Sequence, residues 1–277
     1  MTGSLYIVAT PIGNLEDITH RALRVLGEVD LIAAEDTRHT RKLLSHFNIT
    51  TDLVSYYREK ESQRSGELVT RMIDGADIAL VSDAGTPAIS DPGSVLVNEA
   101  RKQGIRIIPI PGPSALSAAL SCAGLTPGSF LFLGFPPAKS GQRRQMLTSL
   151  SNAEYPLVFY KSPHRIKRFI ADAQEILGNR KILWAREITK KYEDIAETSL
   201  SQLSETLHEK KIRGEIVVII HPGRQELPTG ETIDEILDWY YRNSELSMKD
   251  VCRKVATDMG VSRSDMYRKA LEIWKKQ

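Results

Sequence analysis

Ten short strand candidates, separated by loops and helical patterns, limit how this chain can fold. In the first 112 residues, five of them (5–9, 31–34, 52–56, 78–82 and 105–110) alternate with helical patterns. Runs this short and this uniformly apolar suit strands buried on both faces, so helices must cover both sides of a parallel sheet. Between the first two, Ile18, Ala22 and Leu26 recur every four residues, as along one face of a helix. Sheets of this kind bind ligands at the loops beyond the carboxyl ends of their strands. Those loops are chemically marked: ATPIGN follows the first strand, EDTRHT the second, SDAGTPAISDPG the fourth and PGPSA the fifth.

The next unit, 113–224, has strand candidates at 130–135, 156–161, 181–187, 192–198 and 215–221, with helices at 142–150 and 165–177. Strands outnumber helices, and 181–198 reads as a hairpin, so a mixed sheet is expected. Beyond His221-Pro222-Gly223 the pattern turns helical. Ile233, Ile236, Leu237 and Tyr240 keep the spacing of an amphipathic helix. Ser247 with Asp250 and Ser262 with Asp265 suggest capping boxes, and Gly260 between them suggests a helix C-cap and turn. The expected organisation is a parallel-sheet α/β domain (1–112), a mixed-sheet α/β domain (113–224) and a small helix-turn-helix-like module (225–277).

Composition excludes several classes. With 277 residues, 41% hydrophobic and 26% charged, the chain is a folded protein rather than a disordered one. Cys122 and Cys252 stand far apart with no CxxC or Cys/His cluster, against a disulfide scaffold or a zinc site. No run approaches the roughly 18 to 20 apolar residues of a membrane span. The amino terminus reads as a strand rather than a signal peptide, so a cytoplasmic protein is expected. The missing GxGxxG and GxxxxGK[ST] patterns disfavour a Rossmann dehydrogenase and a P-loop NTPase.

The net charge of +2 conceals uneven placement. Residues 139–168 hold seven Lys or Arg against one acid, Glu154, with Tyr155, Phe159 and Tyr160 interleaved. That suits phosphate contacts to structured RNA, with a solvated helix face as the plain alternative. Residues 242–277 hold nine basic and five acidic residues, whereas 225–241 hold five acids and no base. A basic tail of this shape fits a nucleic-acid docking surface. Met266, Tyr267, Leu271, Ile273 and Trp274 could equally form a packing face between subunits.

In the marked loops, glycine permits close backbone approach and proline stiffens the chain, so SDAGTPAISDPG reads either as a cradle for a small ligand or as a pair of turns. PGPSA fits a strand-to-helix turn whose free amides could meet a polar ligand. Taken in order, TPIGNLEDIT, AAEDTRHT, VSDAGTPAISDPG, PIPGPSAL, FLGFPPAKS, FYKSPHR and AREITKKYE resemble the bacterial small-subunit ribosomal RNA methyltransferases of the tetrapyrrole (corrin/porphyrin) methylase superfamily. The resemblance spans residues 5–223. It implies a two-lobed α/β methyltransferase, a homodimer, with S-adenosylmethionine folded between the lobes and no metal. The implied product is a 2′-O-methyl ribose on a decoding-centre cytidine of 16S rRNA in the small ribosomal subunit.

Carried over residue by residue, the cofactor loops fall on Pro11, on Asp83, Gly85, Thr86, Pro87 and Ala88, and on Ser114 and Ala115. Phe135, Ala185, Arg186 and Pro222 are further contributors. Ser82 stands where the superfamily has glycine, a departure shared with the rRNA branch. A ribose hydroxyl is a poor nucleophile, so a base or a neighbouring cation would help. Glu35, Asp36, Lys161, Glu187 and Lys190 lie in marked loops. His164 is an alternative, histidine being the side chain that titrates nearest neutrality. Each also reads as a salt-bridged or solvated side chain, and no spacing selects one. Arg38, His39 and Arg165 suit phosphate contacts, with Lys139, Arg143 and Arg144 adding to the basic stretch. Two other readings remain: a methyltransferase acting on a tetrapyrrole or other small acceptor, and a DNA-binding regulator.

Overall fold

The computed structural model describes residues 2–126, 128–209, 212–223, 232–244 and 246–274. The chain forms two compact units, Met1–Gly223 and Arg224–Gln277.

The first unit opens with a five-stranded sheet of β1 (Ser4–Val8), β2 (Leu31–Ala34), β3 (Leu53–Ser55), β4 (Ile78–Val81) and β5 (Arg106–Ile110). The order is β3-β2-β4-β1-β5 and every pairing is parallel. All four residues of β2 and of β4 are buried, which explains why these runs are apolar throughout instead of alternating. Leu31, Ala33, Ile78 and Leu80 face one layer with Leu68, Met72 and Leu96, from α3 (Glu61–Ile73) and α4 (Ser94–Lys102). Ile32, Ala34, Ala79 and Val81 face the other with Ala22, Leu26 and Leu44, from α1 (His20–Glu28) and α2 (Thr37–His46). α1 begins two residues after Ile18, because the Thr19 hydroxyl accepts from the Ala22 amide and caps the helix there.

α5 (Ala115–Ser121) leads to the second sheet, built of β6 (Leu131–Gly134), β7 (Leu157–Lys161), β8 (Lys181–Arg186), β9 (Asp194–Ser199) and β10 (Ile216–Ile220). Its order is β6-β7-β10-β8-β9. The β6–β7 pair is parallel and the rest are antiparallel, the mixed sheet that the strand count implied. Leu157 and Phe159 point toward α6 (Ser140–Ser149), α7 (Pro163–Leu177) and α8 (Leu200–Glu209), whereas Val158 and Tyr160 point toward α5. β9 starts at Asp194 rather than at 192. The intervening chain is taken up by a turn in which Lys190 N donates to Glu187 O (2.9 Å) and Glu193 N to Lys190 O (3.0 Å).

The second unit consists of α9 (Ile233–Asn243), α10 (Met248–Met259) and α11 (Arg263–Trp274) around Ile236, Leu237, Tyr240, Val251, Val255, Met266 and Ala270. Gly260, left-handed at φ +66°, ends α10 as its sequence position suggested. The capping boxes form differently from expectation. Ser247 caps Asp250 N at 3.2 Å, but its hydroxyl also donates to Asp250 Oδ2 at 2.6 Å, so the carboxylate answers the hydroxyl. Asp265 pairs with Arg268 while Ser262 meets Ser264. The reciprocal box occurs at Thr232 and Glu235, where the longer glutamate reaches the cap backbone. Met266, Ile273 and Trp274 pack into this unit's own core, leaving Tyr267 exposed.

Candidate active site

Within the first unit, the loop after β4 is tied to the loop after β1. Thr10 N donates to Gly85 O (2.9 Å), Gly85 N to Thr10 O (3.0 Å), and the Thr10 hydroxyl to Ser82 O (3.1 Å). Gly85 sits at φ +81°, where a side chain would be strained. Asp83 Oδ1 accepts from the Asp36 amide (3.1 Å) and so joins the loop after β2. Thr86 reaches Pro113 O at 3.4 Å. These bonds gather the loops beyond four neighbouring strands, β2, β4, β1 and β5, as expected at the carboxyl edge of a parallel sheet.

They wall a cavity of about 390 Å³ that the second sheet completes. From the first sheet come Ile12, Glu35, Asp83 to Thr86 and Ile89 to Asp91. Ser114 and Ala115 supply the start of α5. From the second come Phe135, Tyr160 to Pro163, Ile188 and Glu215 to Val217. Phe135 stands 59% exposed at the rim, its ring edge-on to Tyr160 at 5.6 Å.

The charges in this cavity are unusual. Burial, and then the nearby Asp91 and Asp83, raise the carboxyl of Glu35. Burial also raises Asp91, against the pull of a hydrogen bond from Ser82. Lys161 is 4% exposed, and burial, helped by Arg143 and Arg165, lowers it to about 8. Burial raises Tyr160. Among the described residues, no group of His, Cys, Asp and Glu is arranged to hold a metal ion.

Of the expected catalytic candidates, Glu35 and Lys161 line this cavity. Glu187, Lys190 and His164 do not. Lys190 Nζ bridges Glu187 Oε1 (2.9 Å) and Glu215 Oε2 (3.1 Å), and His164 is exposed on α7. Asp36 caps α2 and pairs with Arg38, which holds its carboxyl down near about 2. Of the expected cofactor residues, Asp83, Gly85, Thr86, Ser114, Ala115 and Phe135 line the cavity. Pro11, Pro87 and Ala88 adjoin lining residues. Ala185 pairs with Val217, which lines the cavity, while Arg186 turns to Asp194 and the Arg213 carbonyl, and Pro222 lies outside.

The expected phosphate contacts divide. His39, Lys139 and Arg165 are exposed. Arg38 is committed to Asp36, and Arg144 to Asp172 and Glu175. Arg143 needs correcting. It is 5% exposed, bonded to Asp172 and to the carbonyls of Pro137 and Ala138, so it joins α6 to α7 rather than meeting solvent. Asp91 and Glu215 line the cavity without having been singled out from sequence, and Tyr160, expected only among the aromatic residues of the basic stretch, lines it too.

A two-sheet α/β unit with one cavity at its loop edge defines a class of protein, and comparison with known proteins says which. The family described as Tetrapyrrole (Corrin/Porphyrin) Methylases matches residues 4–204. The methyltransferase CobJ superposes with a TM-score of 0.61 at 18% identity, covering 80% of this chain and 95% of that one. Uroporphyrin-III C-methyl transferase from Thermus thermophilus, complexed with S-adenosyl homocysteine, superposes at 0.57 with 19% identity, covering 79% and 97%. At these identities the likeness speaks for the fold. The ribosomal RNA small subunit methyltransferase I of Halalkalibacterium halodurans is 46% identical over 96% of this chain and 93% of its own length. That of Vibrio cholerae is 44% identical over 97% and 94%. The chain belongs to the tetrapyrrole methylase family and, within it, to the ribosomal RNA small subunit methyltransferase I group.

Proposed function

We propose that this protein transfers the methyl group of S-adenosylmethionine to the 2′-oxygen of a ribose in 16S ribosomal RNA, at a decoding-centre cytidine. The observation that carries the reading is the cavity, because the segments that build it, Glu215 to Val217 apart, are those by which the chain resembles the rRNA-methylating branch. The relatives' names speak of small-subunit rRNA; the ribose oxygen and the cytidine are the further step of this proposal.

The cavity fits the cofactor. Its volume falls within the roughly 300–1,000 Å³ of small-molecule sites. Gly85 leaves the main chain bare there, and Glu35, Asp83 and Asp91 suit a cationic ligand. Asp83, Gly85, Thr86, Ser114 and Ala115 would hold it, with Pro11, Pro87, Ala88 and Ala185 shaping the wall behind. When bound, the cofactor supplies a methyl group already activated on a positively charged sulfur. The chain's own task is then to place the acceptor oxygen in line, exclude water and receive the hydroxyl proton. Glu35 and Asp91 suit that last role, since a carboxyl with a raised pKa binds a proton more readily than an ordinary one.

On this reading the protein works on the small ribosomal subunit in the cytoplasm, as a homodimer, and residues 225–277 add a docking surface for rRNA. The test is transfer of labelled methyl to small subunits from a strain lacking the modification, followed by nucleoside analysis. The expected product is 2′-O-methylcytidine in 16S rRNA. Label on a base, or no label on subunits alongside label on a tetrapyrrole, would overturn the proposal.

A further inference from the structure

A ribose within RNA carries a phosphate on either side, and the cavity wall has features that fit one. α7, fifteen residues long, begins at the cavity, where both Ser162 and Pro163 line the wall. Its N-cap, Ser162, makes no side-chain capping bond, and Pro163 contributes no amide hydrogen, so the positive end of the helix is only partly satisfied by the chain. Lys161 lines the cavity immediately before it and is 4% exposed. Its side chain has no hydrogen bond or ion pair among the described residues, and Nζ rests 4.2 Å from the centroid of the Phe169 ring. A buried ammonium without a counter-ion is costly.

The surroundings sharpen the deficit. Arg143 and Arg165 both repel Lys161. Asp172, the carboxylate that offsets them, is already held by Arg143 (2.6 Å) and Arg144 (3.1 Å). Arg165, exposed in the first turn of α7, has no ion pair among the described residues. Positive charge therefore exceeds negative around the start of this helix, where Lys161, Ser162 and Pro163 border a cavity large enough to admit a ligand.

We infer that Lys161, Arg165 and the first turn of α7 form an anion subsite that takes an RNA backbone phosphate next to the acceptor ribose. This deepens the ribose-methylation reading and rests on it. Lys161 is then a substrate-binding residue: its ammonium neutralises the phosphate, which fixes the ribose against the carboxylates of the same cavity.

The test is binding of short single-stranded oligoribonucleotides of the target sequence to the protein loaded with S-adenosylhomocysteine. Each linkage in turn is either an ordinary phosphodiester or a neutral methylphosphonate. For the unaltered protein, one linkage should weaken binding roughly tenfold when neutralised. Lys161→Met should bind both forms alike, with a melting curve showing that it is folded. Arg165→Gln, on the surface, should lose a smaller part of the preference. With small subunits as substrate, Lys161→Met should raise KM and hold kcat within about threefold. Its log affinity should also fall less steeply with log salt, by about one unit of slope. An unaltered protein with no linkage preference would overturn the inference. So would Lys161→Met that keeps the preference, or that binds RNA normally while kcat collapses. An unaltered protein that shows the preference but methylates no subunits would overturn the ribose-methylation reading instead.

Discussion

Two groups of acidic side chains in the same unit have opposite surroundings. Glu35 and Asp91 are desolvated at the cavity wall with another carboxylate, Asp83, beside them, and both are raised. Glu187 is also penalised by burial, yet it is lowered, because Lys190 and the Glu215 amide bond its carboxylate at 2.9 and 3.0 Å. Burial alone therefore does not decide the outcome; a fixed counter-charge does. The Glu187 group spends its charge inside the fold, locking the turn after β8 to the start of β10. The Glu35 group keeps its charge directed at whatever enters the cavity.

If this contrast is sound, the largest effects fall on turnover at the first group. Glu35→Gln and Asp91→Asn should each lower the rate of methyl transfer roughly 10²- to 10⁴-fold, the usual worth of a proton acceptor or its partner. Cofactor affinity, read by calorimetry, should change far less. Loss of cofactor binding in both variants would recast these carboxylates as ligands of the sulfonium.

A change at the second group should appear as stability. Gly214 lies at φ +89°, and an added Cβ would come 2.3 Å from the Glu187 carboxylate. Gly214→Ala should therefore cost about 1–3 kcal/mol, measured by denaturant unfolding. A cost near zero would mean that the turn is looser than its bonds suggest.

Lys190→Met sharpens the contrast through pH. The folded pKa of Glu187 is lowered, so its contribution is present above the unfolded carboxylate value and lost as pH falls through the folded one. Lys190 is raised, so its contribution is present below the unfolded lysine value and lost as pH rises through the folded one. The stability difference between unaltered protein and Lys190→Met should thus peak between the two ranges and shrink on either side. Because both groups are partly exposed, about 1 kcal/mol is expected at the plateau. The smallest effect is predicted for Arg24→Ala. The Arg24–Glu28 pair is 2.8 Å long, but both side chains are 60% exposed, so its loss should cost under about 0.5 kcal/mol.

Local pattern predicts the strands well and the site unevenly. All ten strand candidates became strands, with ends shifted by two residues at most; the signal is fullest in β2, β4 and β10, where burial on both faces makes every residue apolar. The loop carrying Asp83 and Gly85 stood out through its glycine and proline content. Asp91, in the same loop, looked like an ordinary turn residue before Pro92; what distinguishes it is desolvation, which needs the other sheet. Glu215 reaches the cavity through the antiparallel register that sets Ile216 opposite Lys161, a pairing across more than fifty residues. Arg143 shares the buried face of α6 with Leu147, and a run of basic residues gives no sign of which one turns inward. Glu187 and Lys190 looked as available as Glu35. Left-handed backbone at Glu187 (φ +53°) and Thr189 (φ +67°) folds them onto each other, and nothing in their residue types announces it.

The pH dependence of single-turnover methyl transfer, at saturating S-adenosylmethionine, tests the role of the desolvated carboxylates most directly. The rate should fall toward acid with a midpoint above the ordinary carboxylate value of about 4. In Glu35→Gln or Asp91→Asn that limb should move or vanish along with most of the rate. Rates and acid limbs unchanged in both variants would contradict the account.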